Sequence, residues 1–217
     1  MADAATLPHV GANDLKDMLT PATTALVVVD VQTDFASPEG LLGRVGTDLS
    51  SVPPALANII ALIATARKAG ATLAFMRVVT SPKTDSNALK TLMARKGMPG
   101  GEAICRSDDG GADYHVVTAE PGDIQIDKLL YDSFHGTDLD AQLRARGIET
   151  LLITGFSTDC CVDQTARAAF HRDYHAFIVS DACAAYDDDL HVSALNILQK
   201  NCALLVASEA VLSAWAR

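Results

Sequence analysis

The chain has 217 residues, of which 49% are hydrophobic and 20% charged, a balance that fits one soluble globular domain with a large core. Its net charge of −10 and lack of any basic stretch exclude nucleic acid as a partner, since nothing would neutralise phosphates. The five cysteines (Cys105, Cys160, Cys161, Cys183 and Cys202) are odd in number and lack Cys-x-x-Cys spacing, which excludes a zinc ribbon and a disulfide framework. No apolar run is long enough to span a bilayer, and no basic segment followed by an apolar core opens the chain. A cytoplasmic protein with reduced thiols and no membrane partner is expected.

In chain order, residues 1–21 are weakly patterned and are expected to form an arm on the body or on a neighbouring subunit, with one domain over 22–217. Thr24 to Asp30 is an apolar run ending in Asp, a buried strand. The loop Gln32 to Ser51 carries Pro38, Gly40, Gly43 and Gly46 and is expected to cover a pocket. Pro53 to Gly70 is a helix with proline near its start and glycine at its end, and Ala71 to Val79 is the second strand. Between Thr80 and Gly122 the pattern loosens; Asn87 to Lys96 suits a helix, and glycine pairs at 100–101 and 110–111 mark loops. An irregular insertion of this length is usually functional or an oligomer contact.

Asp123 to Asp127 is a short strand leading into Lys128, Thr137 to Gly147 a helix, and Thr150 to Gly155 a buried strand. Cys160 to Tyr174 is helical, His175 to Asp181 a strand, Leu190 to Asn201 a helix, Cys202 to Ala207 a last strand and Ser208 to Arg217 a closing helix. Strands alternating with helices predict a single three-layer α/β/α domain around a mostly parallel, six-stranded Rossmann-like sheet. In such sheets, sites form beyond the carboxyl ends of the strands. Asp30, Lys128 and the loop holding Cys160 and Cys161 all sit at such ends, and Arg77 lies near a fourth.

The strand-to-helix turn at Gly155-Phe156-Ser157-Thr158-Asp159-Cys160-Cys161-Val162 places a cysteine in the first turn of a helix. The partial positive charge there favours a thiolate, and free backbone N–H groups can hold an oxyanion. A buried cysteine in an ordinary βα unit is the plain alternative, and position alone leaves the two about even.

This segment resembles the Gly-x-x-Thr-x-x-Cys-Val nucleophile motif of the isochorismatase-like cysteine hydrolases. Two further segments resemble that family in the same order: Val29-Asp30-Val31-Gln32-Thr33-Asp34-Phe35, and Asp127-Lys128 followed by Ser133-Phe134 and Thr137-Asp138-Leu139. The resemblance covers nearly all of the chain from Thr24 and implies a triad: Cys161 the nucleophile, Asp30 the proton carrier and Lys128 its electrostatic partner. It also implies an oxyanion hole from the N–H groups of Ser157 and Cys161, and a cis peptide between Phe156 and Ser157. Cys160 is expected to turn toward packing, because consecutive helical residues diverge by about 100°.

Gln32, Phe35, Arg77 and Phe134 lie next to these motifs and are candidate substrate contacts, the phenylalanines as apolar walls and the others as polar partners. The nicotinamidases of the superfamily carry an Asp-x-His-x-x-His metal cluster, of which only Asp113 and His115 have counterparts; no metal or cofactor is expected. The other histidines (His135, His171, His175, His191) are expected at the surface or in helix packing. The function expected is a cysteine amidohydrolase cleaving a C–N bond of a small ureido, carbamoyl or amide compound through a thioester-like intermediate. Stretches at 30–50, 86–91 and 121–124 resemble biuret hydrolases and ureidoacrylate amidohydrolases. An isochorismatase proper, a nicotinamidase-like amidase, a silent binding protein and a thiol redox protein are the alternatives. A homo-oligomer, dimer or tetramer, is expected.

Overall fold

The computed structural model describes residues 4–216. Six strands form one sheet in the order β3-β2-β1-β4-β5-β6, with every neighbouring pair parallel: β1 Thr24–Val29, β2 Thr72–Val78, β3 Ile124–Lys128, β4 Thr150–Phe156, β5 His175–Ala184 and β6 Leu204–Val206. The helices are α1 Ala12–Met18, α2 Thr33–Ala36, α3 Leu41–Arg44, α4 Val52–Ala69, α5 Asn87–Arg95, α6 Leu139–Ala145, α7 Asp163–Phe170, α8 Asp188–Asn201 and α9 Ser208–Trp215.

Period-two alternation divides the core in two. Ala25, Val27 and Val29 of β1 face α6, α7 and α8, while Leu26 and Val28 face α1, α4 and α9. Both faces are therefore covered, and the central strands are apolar throughout. Helix α4 ends as its sequence requires, with Gly70 in the left-handed conformation (φ 75°). Segment 12–19 is no loose tail. Leu15 and Leu19 are buried, and Trp215 Nε1 donates to the Leu19 carbonyl at 2.8 Å.

Three local expectations change. The 32–51 excursion holds two helical turns, α2 and α3, rather than loop alone. The helix expected from Cys160 is split into a π-helical turn, Thr158–Val162, and α7. Strand β5 runs three residues further, because a register shift between Ile153 and Gly155 lets Cys183 and Ala184 pair with the end of β4. No helix among the described residues is long and apolar enough to cross a membrane.

From β1 the chain builds outward through β2 to β3, then returns to the other side of β1 as β4. The strand order reverses between β1 and β4, so their outgoing loops leave in opposite directions and a crevice opens there.

Candidate active site

Asp30, the first residue past β1, takes a left-handed backbone conformation (φ 53°), which Asp tolerates better than most residues. Its carboxylate is fully buried. On β3 burial alternates strictly, with Ile124, Ile126 and Lys128 inside and Gln125 and Asp127 outside. Strand parity thus sends the lysine inward. Its Nζ donates to Asp30 Oδ2 at 2.7 Å and to the carbonyls of Leu130 and Tyr131 at 2.9 and 3.1 Å. All three ammonium protons are used. Removing one partner of such a buried pair typically costs about 3–5 kcal/mol, because the other charge is left stranded.

The cysteine reaches this pair through a close approach of two strands. Gly155 has φ 114°, and a Cβ there would lie 2.0 Å from the Val29 carbonyl oxygen, so only glycine fits against β1. The Phe156–Ser157 peptide is cis. A π-helical turn follows, in which the N–H groups of Cys160 and Val162 both donate to the Ser157 carbonyl at 3.1 Å. Single π turns recur at functional sites. Cys161, on this turn, is 5% exposed and interacts with both Asp30 and Lys128. Thr158 below it is buried, its hydroxyl 2.8 Å from His191 Nδ1.

Burial pushes the Asp30 pKa up, with Lys128 opposing. Burial pulls Lys128 down, but the charges of Asp30 and Cys161 outweigh it and hold the lysine above its ordinary value. The hydrogen bond with Cys160, burial and the Asp30 charge push the Cys161 thiol well up, with Lys128 opposing. These influences favour the protonated thiol. The helix start favours a thiolate, and the hydrogen bond with Cys160, burial and the neighbouring carboxylate work against it.

A cavity of about 750 Å³ opens above these residues. Ser157, Cys160 and Cys161 form part of its floor, and Leu129 to Tyr131 line one side. Its cover comes from the two excursions: Phe35, Leu41 and Leu42 from 32–51, and Leu89, Met93 and the 98–104 strap from the 80–122 insertion. Of the four expected substrate contacts, Phe35 alone lines it. Gln32 Nε2 donates to the Val78 and Ala112 carbonyls, and its Oε1 accepts from Val78 N, each at 2.8 Å, so its amide is spent on tying the end of β2 to the 80–122 insertion at Ala112. Arg77 is one residue off the inward face of β2. It pairs with its register neighbour Asp127 at 2.9 Å and stands over the Tyr114 ring, away from the cavity. Phe134 is a core residue, stacked on Tyr174 with Arg172 over its ring. Cys160 packs against the core, as expected, and also lines the cavity.

Several residues at or around the cavity were not singled out by sequence. Tyr186 lines it and donates to the Phe35 carbonyl at 2.9 Å. The buried Asp34 carboxylate accepts from Leu41 N at 2.8 Å and Cys105 N at 2.7 Å, clamping both covers together. The i, i+4 pair Leu89 and Met93 on α5 was a usable signal, and Asp34 lay inside a motif segment; the contacts of Asp34 with Cys105 and of His191 with Thr158 were hidden because those partners are distant in sequence. Among the described residues no group of three His, Cys, Asp or Glu side chains is placed to hold a metal ion.

The isochorismatase domain model matches residues 24–210. A ureidoacrylate amidohydrolase of Methylobacterium radiotolerans is 40% identical over 193 residues, covering 82% of this chain and 73% of that protein. The crystal structure of a cysteine hydrolase from Pseudomonas syringae pv. phaseolicola 1448A superposes with a TM-score of 0.81 at 27% identity, covering 90% of this chain and 93% of that one. An N-carbamoylsarcosine amidase from Thermoplasma acidophilum gives 0.67 at 25% identity, over 86% and 97%. With an all-parallel sheet, a crevice at the β1–β4 reversal and a family match across nearly the whole domain, this chain belongs to the isochorismatase domain family.

Proposed function

We propose that the protein is a cysteine amidohydrolase that cleaves the C–N bond of a small ureido, carbamoyl or amide compound and releases ammonia or an amine. The observation that carries this is the buried Asp30–Lys128 pair, 2.7 Å apart, interacting with Cys161 at the floor of a cavity. Relatives named for ureidoacrylate and N-carbamoylsarcosine support the substrate class.

In this scheme Asp30, whose Oδ1 is buried without a conventional hydrogen-bond partner, takes the Cys161 proton as sulfur attacks the substrate carbonyl carbon. The backbone N–H groups of Ser157 and Cys161 hold the developing oxyanion. The protonated Asp30 hands its proton to the leaving nitrogen as the C–N bond breaks, leaving an acyl or carbamoyl thioester. Water, deprotonated by the same carboxylate, then attacks the thioester carbon and the sulfur leaves as the thiol. Lys128 keeps Asp30 in place and balances the negative charge passed between oxygen and sulfur. A homo-oligomer is part of the proposal and is read directly by light scattering.

Mass spectrometry of the protein quenched during turnover of an amide and urea panel tests the scheme. A mass increment confined to the peptide holding Cys161, absent in Cys161→Ser and kept in Cys160→Ser, is the expected outcome. Dialysis against a strong chelator should leave turnover unchanged. Turnover surviving in Cys161→Ser, or a label moving to Cys160, would overturn the assignment.

A further inference from the structure

The cavity is far larger than a ureido group needs, and its walls are mostly hydrocarbon: Leu42, Leu89, Met93, Ile104 and Leu130 surround it with few polar atoms among them. Among the described residues, no Arg, Lys or His lines it. The nearby cations are committed elsewhere. Lys128 has given its three protons to Asp30 and two carbonyls, Arg77 faces outward to Asp127, and Arg106 is paired with Asp85 through both terminal nitrogens. Among the described residues the single charged one in the lining is Glu102, whose Oε2 is buried without a hydrogen-bond partner.

A carboxylate-bearing substrate would be desolvated here against hydrocarbon, with no cation to receive it and a like charge on the wall. From the cavity lining, and resting on the amidohydrolase assignment above, we propose that this chain selects amides or ureides with an uncharged apolar body. Glu102 accepts a hydrogen bond from a donor on that body and disfavours anions. The preference departs from an acid such as ureidoacrylate, for which a 40% identical relative is named.

Two measurements on the purified protein test this. The first compares kcat/KM for hexanamide, its ω-hydroxy derivative and adipamate, and for N-pentylurea against its ω-carboxylate analogue. The anionic members should be poorer by about 100-fold or more, the size of a penalty for placing like charges together without compensation. Glu102→Gln should narrow that ratio about tenfold. The second needs no turnover: the rates at which iodoacetamide and iodoacetate alkylate Cys161, followed by peptide mass spectrometry and divided by their rates with free cysteine. The neutral reagent should be favoured by at least about tenfold more than in free cysteine, and Glu102→Gln should reduce the margin. Equal or better use of the carboxylate compounds, or equal corrected alkylation rates, would overturn the inference while leaving the amidohydrolase assignment intact. A panel with no turnover but a strong preference for iodoacetamide would do the reverse. Ratios unmoved by Glu102→Gln would remove Glu102 from the explanation.

Discussion

Two cavities of nearly equal size, about 740 and 750 Å³, open at opposite ends of the same sheet. The first lies at the amino ends of the strands, where Thr150, His175 and Leu204 begin, and its charged residues Asp17, Glu149 and Lys200 are exposed to water. The second lies over the carboxyl ends, above Asp30 and Lys128, whose side chains are 0% exposed. Volume is shared; desolvated charge is not. Charges in water interact weakly and hold ordinary chemistry, whereas a buried carboxylate beside a buried lysine and a thiol has its proton affinity reset by its neighbours. The difference originates in topology, because only the reversal between β1 and β4 leaves a crevice into which strand-end residues can turn away from water.

The comparison breaks hardest at the ion pair. Asp30→Asn and Lys128→Ala should each lower kcat by about 10³-fold or more, within the range for loss of a positioned acid–base group. The double variant should lose little more than either single one, since groups acting as a unit are non-additive. Additive losses in steady-state kinetics would show that the two act separately.

A smaller effect is expected from the clamp that roofs the second cavity. Asp34→Asn weakens the acceptor for Leu41 N and Cys105 N and should lower unfolding free energy by about 1–3 kcal/mol, measured by denaturant titration. KM should rise more than kcat falls, because the covers position substrate while the floor is unchanged. The reverse split would place Asp34 in the chemistry.

The support under the cysteine should report through pH. Burial holds His191 below its ordinary value of 6.5, with Asp188 and Asp159 opposing. As pH falls, the unfolded chain takes up a proton that the folded state refuses. The stability from a neutral His191 is therefore full above its unfolded pKa and lost as pH drops through its lower folded value. Between about pH 7 and 5 the wild-type Tm should fall more than that of His191→Gln. Parallel curves would mean that Thr158 is held by other contacts.

The smallest effect belongs to the other end of the sheet. Lys200→Ala and Glu149→Ala should leave kcat/KM within about twofold, as expected for solvated surface groups. A tenfold loss there would undo the distinction between the cavities.

How much of this was legible depends on the range of the interactions involved. Hydrophobic pattern placed Asp30 and Lys128 at strand ends and motif likeness gave them their roles; in the folded chain strand parity turns Lys128 inward and Asp127 outward. Gly155 stood out as a glycine closing a buried strand, and its role is local: no side chain fits beside Val29. Cys161 was separated from Cys160 by motif likeness, and both border the cavity, so periodicity could not have chosen. Arg77 and Phe134 had the right neighbours in sequence and the wrong surroundings in space, one by strand parity and one by stacking in the core.

By itself, then, the sequence determined the alternation of strands and helices, the ends of the central strands and the chemical types brought to them, because those follow from hydrophobic period and from residues a few positions apart. Only the tertiary structure decided the surroundings that bear on the Cys161 thiol, the commitment of Gln32 to the backbone and the apolar roof over the site. Each depends on desolvation and on contacts between segments separated by tens of residues, and burial is a property of the assembled fold rather than of any stretch of chain.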